Sequence, residues 1–316
     1  MNGKIRLGIS SCLLGGKVRY DGGHKLDHFL RDTLGNYVDW VPVCPEVEMG
    51  LSVPREAMRL VGTPAYPRLK TIRTGKDYTD RMLKWAKKRL NEIEKEDLCG
   101  FVFKSRSPSS GMKAVKVYDE SGVPRYKGTG IFAGAFMERF PLLPAEDEGR
   151  LNDPVLRENF IERIFVYQRW KDFLKSTGSI AQLITFHTKH KLLILSHSTK
   201  HYSILGRLVA DAKRYKTDEI RTYYLTYLME GLRLTATIRK NTNVLQHMMG
   251  YFKDRLTADE KQELSEIFEK YHAGFVPLIV PLTLLTHYVR KFDEPYLKGQ
   301  YYLRPHPAEL MLRNHV

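Results

Sequence analysis

The chain is short of cysteine. Its 316 residues hold three, Cys12, Cys44 and Cys99, with no C-x-x-C pair among them. That excludes a disulfide framework, disfavours the knuckle spacing of structural zinc, and points to a reducing compartment. Long apolar runs are missing as well. No stretch of about 18 apolar residues is present to span a membrane. The start, Met-Asn-Gly-Lys, leads into an alternating segment without a signal-peptide core, so a cytoplasmic address is expected. Internal repeats, low-complexity segments and a phosphate loop of the form G-x-x-x-x-G-K-S/T are also absent. Acidic residues are outnumbered, 36 against 51 basic, which leaves a net charge of +15.

That excess is not confined to a tail. Residues 1–150 carry 26 basic and 19 acidic groups (+7), and residues 151–316 carry 25 and 17 (+8). Such a surface suits a polyanion such as nucleic acid, or is simply a solvated basic surface. The length allows two domains of ordinary size. Up to about residue 140, short apolar runs alternate with helical patterns. Ile5–Ile9, Val38–Val43, Phe101–Lys104 and Ala114–Tyr118 read as strands, with helices over Leu26–Leu34 and Tyr78–Glu96 and another opening at Gly130. This predicts an α/β domain over 1–150 with a mainly parallel sheet. "PLLPAEDEGRLND" (141–153) reads as the boundary, and 151–316 as an all-α domain. There Thr257-x-x-Glu260 forms a capping box, and Val244, Leu245, Met248, Met249 and Phe252 line one helix face.

In an open parallel sheet, ligands bind where loops leave the carboxyl ends of strands. Cys12 in "ISSCLLGG" follows the first strand, Cys44 in "VPVCPEVEMG" the second, and "SRSPSSG" (105–111) a third. Cys99 begins its strand, about 16 Å from that rim at 3.3 Å per residue, and reads as a buried small hydrophobe. Two thiols on one rim fit a nucleophile, for which His24 is the nearest histidine in sequence, or part of an iron–sulfur site. Nearby, "VRYDGGHK" (18–25) offers Asp21 and Lys25 beside a double glycine, as a ligand loop or a surface turn. Glu46 and Glu48 follow Cys44 as an acid–base candidate or a solvated pair. "GTGIFAG" (128–134) misses the dinucleotide fingerprint by one position.

Taken together, "ISSCLLGGKVRYDGGHK", "VPVCPEVEMGLSVPRE" and "FKSRSPSSGM" resemble the thiouracil desulfidase (TudS) family. "FHTKHKLLILSHSTKHYSILGRLVA", "NVLQHMMGYF" and "YLKGQYYLRPHP" resemble the helical domain of YbgA-type proteins, a fusion found in tRNA 4-thiouridine desulfidases. The resemblance implies a 4Fe–4S cluster held by three cysteines, and a non-redox removal of sulfur that yields uridine and hydrogen sulfide. By motif, the ligands fall on Cys12, Cys44 and position 110, where this chain has Ser110 in place of the expected cysteine. Catalytic roles fall on Glu48 and Ser107, and substrate contacts on Ser11, Asp21, Lys25 and Lys104. A serine oxygen is a harder ligand than a thiolate, so the cluster is expected to be weakened or absent. Ser110 marks either an engineered Cys-to-Ser form, which intact Cys12, Cys44 and Glu48 favour, or a natural member without activity. The layout further implies tRNA as partner, held in the helical half by Lys189, Lys191, Lys200, Arg207, Lys213 and Arg214. His187, His190, His197 and His201 stand at helical spacing there, as packed residues, RNA contacts or a metal site. A desulfidase for free thiouracil and a catalytically silent RNA-binding protein are the alternatives.

Overall fold

In the computed structural model, which describes residues 4–315, the first unit ends at Asp153 and the second begins at Pro154. The first is built, in chain order, from β1 (Ile5–Ser10), β2 (Val38–Val43), α1 (Pro45–Glu48), β3 (Met58–Gly62) and β4 (Pro67–Thr71). There follow α2 (Thr79–Lys95), β5 (Phe101–Phe103), β6 (Val115–Tyr118), β7 (Pro124–Gly128), α3 (Ile131–Arg139) and β8 (Ala145–Asp147). One sheet has the order β2-β1-β5-β8 and is parallel throughout. All of β1 but Arg6 is buried, as expected of a strand covered on both faces. Gly8 is required there, because an added Cβ would stand 2.1 Å from the Phe101 ring.

Met82, Ala86, Leu90 and Ile93, spaced by three or four residues, bury one stripe of α2. From α3, Phe132 and Phe136 pack on Phe101 and Phe103, whose rings stack at 4.2 Å. Burying each such ring stabilises the unit by roughly 1.5–3 kcal/mol. These rings fix the strand from which residues 104–111 emerge.

Three features depart from the sequence reading. The expected helix over Leu26–Leu34 is a π-helical turn at Phe29–Thr33 running into a 3-10 turn that ends at Asn36. It buries only Leu30 and Leu34, and two anchors are too few to hold a longer amphipathic helix. A second sheet, β4-β3-β6-β7, joins two antiparallel hairpins through the parallel β3–β6 pair. Its outer strand β7 is exposed along most of its length, so it lacks the apolar alternation that marks a strand. Within the boundary segment, Ala145–Asp147 pairs with β5 as the fourth strand of the parallel sheet.

The second unit is helical: α4 (Pro154–Lys175), α5 (Ile180–His197), α6 (Thr199–Ala210), α7 (Thr217–Leu232), α8 (Ile238–Met249), α9 (Ala258–His272), α10 (Ile279–Lys291) and α11 (Pro295–Lys298). Ser179, Ser198 and Thr237 cap α5, α6 and α8 through their hydroxyls, and Thr257 with Glu260 completes the capping box of α9. Trp170 and Tyr224 stack in the core at 5.5 Å. Among the described residues, no helix is long and apolar enough to cross a membrane.

Candidate active site

Three adjacent strands deliver the site. Past β1 the chain makes a 3-10 turn, Ser11–Leu14, that carries Cys12. At the end of β2, Cys44 is the N-cap of α1, with Pro45 as its first helical residue. Beyond β5, residues 104–111 fold into a turn around Ser107, whose hydroxyl accepts the Ser110 and Ser109 N–H groups at 3.1 and 3.3 Å. Gly130 makes that turn possible. A Cβ there would lie 2.6 Å from the Ser109 carbonyl, and the Gly130 N–H donates to Gly111 O at 2.8 Å. Within "GTGIFAG", Gly130 therefore serves the close approach of α3 to this turn, while Gly128 meets Val117 and Pro64 instead.

The three loops surround one cavity of about 430 Å³ whose lining includes Cys12, Cys44, Glu46, Ser107 and Ser110. Ser11, Lys25 and Lys104 line it too, as does Arg55 from the segment leading into the second sheet. Cys99 is fully buried, with its N–H bonded to Arg6 O at the far end of β1. Burial pushes the Cys12 thiol up to about 11, although Lys104 and Arg19 pull it down. Burial, then the Glu46 charge, push the Cys44 thiol up to about 12. Both thiols are thus protonated at neutral pH, and a metal must displace the protons.

Glu46 is the cavity acid that meets both a thiol and the serine-rich turn. Its carboxylate accepts the Ser109 hydroxyl at 2.6 Å, lies 3.7 Å from Cys44 Sγ and 3.8 Å from the buried Arg55 guanidinium. The Ser109 hydroxyl is 3.4 Å from that of Ser110 and 3.0 Å from that of Ser107. Behind the lining residues Lys104 and Ser105, Glu148 from beyond β8 binds the lysine and accepts the Ser105 hydroxyl at 2.8 Å.

Two residues assigned from sequence lie off the cavity lining. Glu48 accepts the Cys44 N–H at 2.8 Å and pairs with Arg89 at 3.2 Å. Two residues along α1 turn it through about 200° away from Glu46, and burial raises its pKa. Asp21 closes its own loop by accepting the Gly23 N–H at 3.0 Å, and that bond holds its carboxyl below the ordinary range. His24 accepts the Leu26 N–H, again within its loop. Sequence reading underweighted Glu46, although its place at the second helical position after Cys44 was a usable signal. Arg55, Ser109 and Glu148 left none, because only tertiary folding brings them in.

In the second unit, Lys189, Lys200, Arg207, Lys213 and Arg214 are exposed and Lys191 is half-buried. The four histidines are buried and each bonds a different partner, with Nε2 of His190 left unpaired among the described residues. His187 bonds the Tyr224 hydroxyl, His190 the Phe186 carbonyl, His201 the Ser198 hydroxyl, and His197 the Glu162 carboxylate at 2.9 Å. Packing accounts for them, and among the described residues they do not gather into a metal-ligating group. Glu162 and Glu158 are bridged by Arg313 at 2.8 and 2.9 Å, beside a cavity of about 190 Å³.

A parallel sheet whose strand ends gather two thiols, a carboxylate and a serine-rich turn, followed by a helical unit, defines a two-part class of protein. The 2-thiouracil desulfurase family model matches residues 7–148, and the model of a protein family of unknown function, DUF1722, matches 191–307. The first unit is thus a 2-thiouracil desulfurase family domain, joined in one chain to a DUF1722 domain in the second. It is 33% identical to uncharacterized protein YbgA of Escherichia coli (strain K12) over 133 residues, 42% of this chain and 79% of that one. Uncharacterized protein YbbK of Bacillus subtilis (strain 168) is 29% identical over 150 residues, 46% of this chain and 97% of that one. Among solved structures, the 4Fe–4S-dependent thiouracil desulfidase TudS matches with 27% identity and a TM-score of 0.39, covering 48% of this chain and 95% of its own.

Proposed function

We propose that the first unit removes sulfur from a thiolated uracil base, 4-thiouridine in tRNA, with a 4Fe–4S cluster seated at Cys12, Cys44 and Ser110. The observation that carries this reading is the meeting of those three positions, from three separate strand ends, on one cavity. The donor set fits a cluster at two positions with soft thiolates and at the third with a harder hydroxyl. When bound, the cluster supplies a soft, open iron site for a thiocarbonyl sulfur.

The chain's own groups do the remaining work. Glu46, held by Ser109 and Arg55, is placed to take a proton from water entering the cavity, the role that sequence alone gave to Glu48. Because the Ser109 hydroxyl donates to Glu46, the Ser107 hydroxyl donates to Ser109 at 3.0 Å while its own oxygen braces the turn, and a base entering the cavity would compete with Ser109 for that proton. Lys25 and Lys104 set a positive wall against an anionic leaving sulfur. The tRNA part of the reading is supported by the basic excess and by the exposed cations of α5 and α6.

Ser110 favours a second reading, a catalytically silent RNA-binding protein. Anaerobic reconstitution separates the two. The Ser110→Cys variant should hold about four irons and four sulfides per chain at one cluster, and release sulfide from 4-thiouridine tRNA. This chain should hold less iron and release sulfide more slowly. Failure of Ser110→Cys to take up iron would falsify the cluster reading. Turnover of free 4-thiouracil but not of the tRNA would move the substrate to the free base.

A further inference from the structure

We infer that the outer face of α2 is an RNA-backbone surface that continues the active-site cavity across α1, an inference that rests on the tRNA reading and adds a contact within the first unit. Between Arg81 and Asn91 the helix carries Arg81, Lys84, Lys87, Lys88 and Arg89 without one acidic residue. An ordinary solvated helix alternates signs along its face, and like charges three or four residues apart destabilise it. Positions 81 and 84, 84 and 87, and 84 and 88 are such pairs. Arg81, Lys84, Lys87 and Lys88 are all exposed. The acids at the edges of the run are Asp80, just before it, Glu92, 3.9 Å from Lys88, and Glu48, which is held by Arg89. Among the described residues, Lys84 and Lys87 have no carboxylate partner. Repulsion of this kind is relieved by a polyanion.

Shape points the same way. The cations frame a hollow of about 540 Å³ with Trp85, Met49 and Glu48 in its lining. Arg81 is tied to the Met49 and Gly50 carbonyls at 2.8 and 3.1 Å, which fixes the hollow to the end of α1. Cys44 opens α1 on the cavity side and Glu48 closes it on the hollow side. The turn between them is about 6 Å long at 1.5 Å per residue. A strand whose base occupies the cavity can therefore lay its next phosphates on α2. The half-buried indole offers an edge for stacking. A free base would make none of these contacts.

The test uses the full chain and tRNA bearing 4-thiouridine, with binding followed by fluorescence anisotropy across a salt series. Lys84→Gln, Lys87→Gln and Lys88→Gln are combined in one variant, and Lys189→Gln, Lys200→Gln and Arg207→Gln in a companion. All six positions are exposed, so circular dichroism should show both variants folded. The α2 variant should lose at least about tenfold in affinity, and its salt slope should flatten by about 2, near 0.7 for each lost single-strand phosphate contact. An α2 variant that binds like the unsubstituted chain, with only the companion weakened, overturns this inference and leaves the tRNA reading standing. Absence of salt-dependent tRNA binding in the unsubstituted chain overturns both.

Discussion

At the scale of single residues, the two cavity thiols make the clearest pH statement. Cys12 is pushed up to about 11 and Cys44 to about 12, chiefly by burial, against an ordinary value near 9. In metal-free protein the folded state then holds more protons than the unfolded chain between about pH 9 and 11. Stability contributed by these neutral thiols is complete below pH 9 and falls as pH rises through that window. Urea midpoints should decline from pH 8.5 to 10.5, and less so in a Cys12→Ser/Cys44→Ser double variant. An identical decline in both would remove the thiols as its cause. The same burial implies slow alkylation at pH 8, because the thiolate is the nucleophile. Cys12 and Cys44 could be placed from sequence because each stands at the end of an apolar run, Cys44 next to Val43 and Cys12 two serines past Ile9. The roles of Glu46 and Glu48 were not, since two residues along a helix turn a side chain through about 200° and only coordinates say which way.

At the scale of elements, α1 matters more than its four residues suggest. Glu48 reaches back to the N–H of its own N-cap, Cys44, and Arg89 of α2 holds the carboxylate in place. Replacing Glu48 by Ala leaves that N–H without its partner, which costs roughly 1–3 kcal/mol. Glu48→Gln keeps an acceptor and should lose less. Chemical denaturation ranks the variants, and equal losses in both would show that the bond to Cys44 contributes nothing. Strands β1, β2 and β5 of the parallel sheet and helix α2 announced themselves by apolar runs and period. The second sheet did so poorly: β7 is exposed along most of its length, and its pairing with β6 is interrupted by a register shift next to Tyr118. A strand that buries little apolar surface leaves little periodic signal.

At the scale of the whole chain, each unit carries its own core and its own buried polar network. In the first, the aromatic cluster of Phe101, Phe103, Phe132 and Phe136 sits under the cavity. In the second, Arg313 near the carboxyl end ties Glu158 and Glu162 of α4, so the final segment is structural. Cutting after Asp153 should therefore yield two fragments that each fold. Far-ultraviolet circular dichroism and a cooperative melt of each would check this, and an unfolded 1–153 fragment would refute it. The division was readable from prolines and acidic residues at 141–153. That the same segment also contributes β8 was not, because three residues are too short to show a period.

The loops bearing positions 44, 12 and 110 hang from neighbouring strands in the order β2, β1, β5. The lateral spacing of the strand ends is therefore inherited from the hydrogen-bond ladder, about 4.8 Å per strand, and the turn braced by Ser107 and Gly130 carries position 110 on from there. Evolution can rewrite the chemistry at any one of these tips, as thiol or hydroxyl, without redrawing the scaffold. A slip of one rung in β1, by contrast, would carry its tip about 3.3 Å along the strand and turn it to the other face.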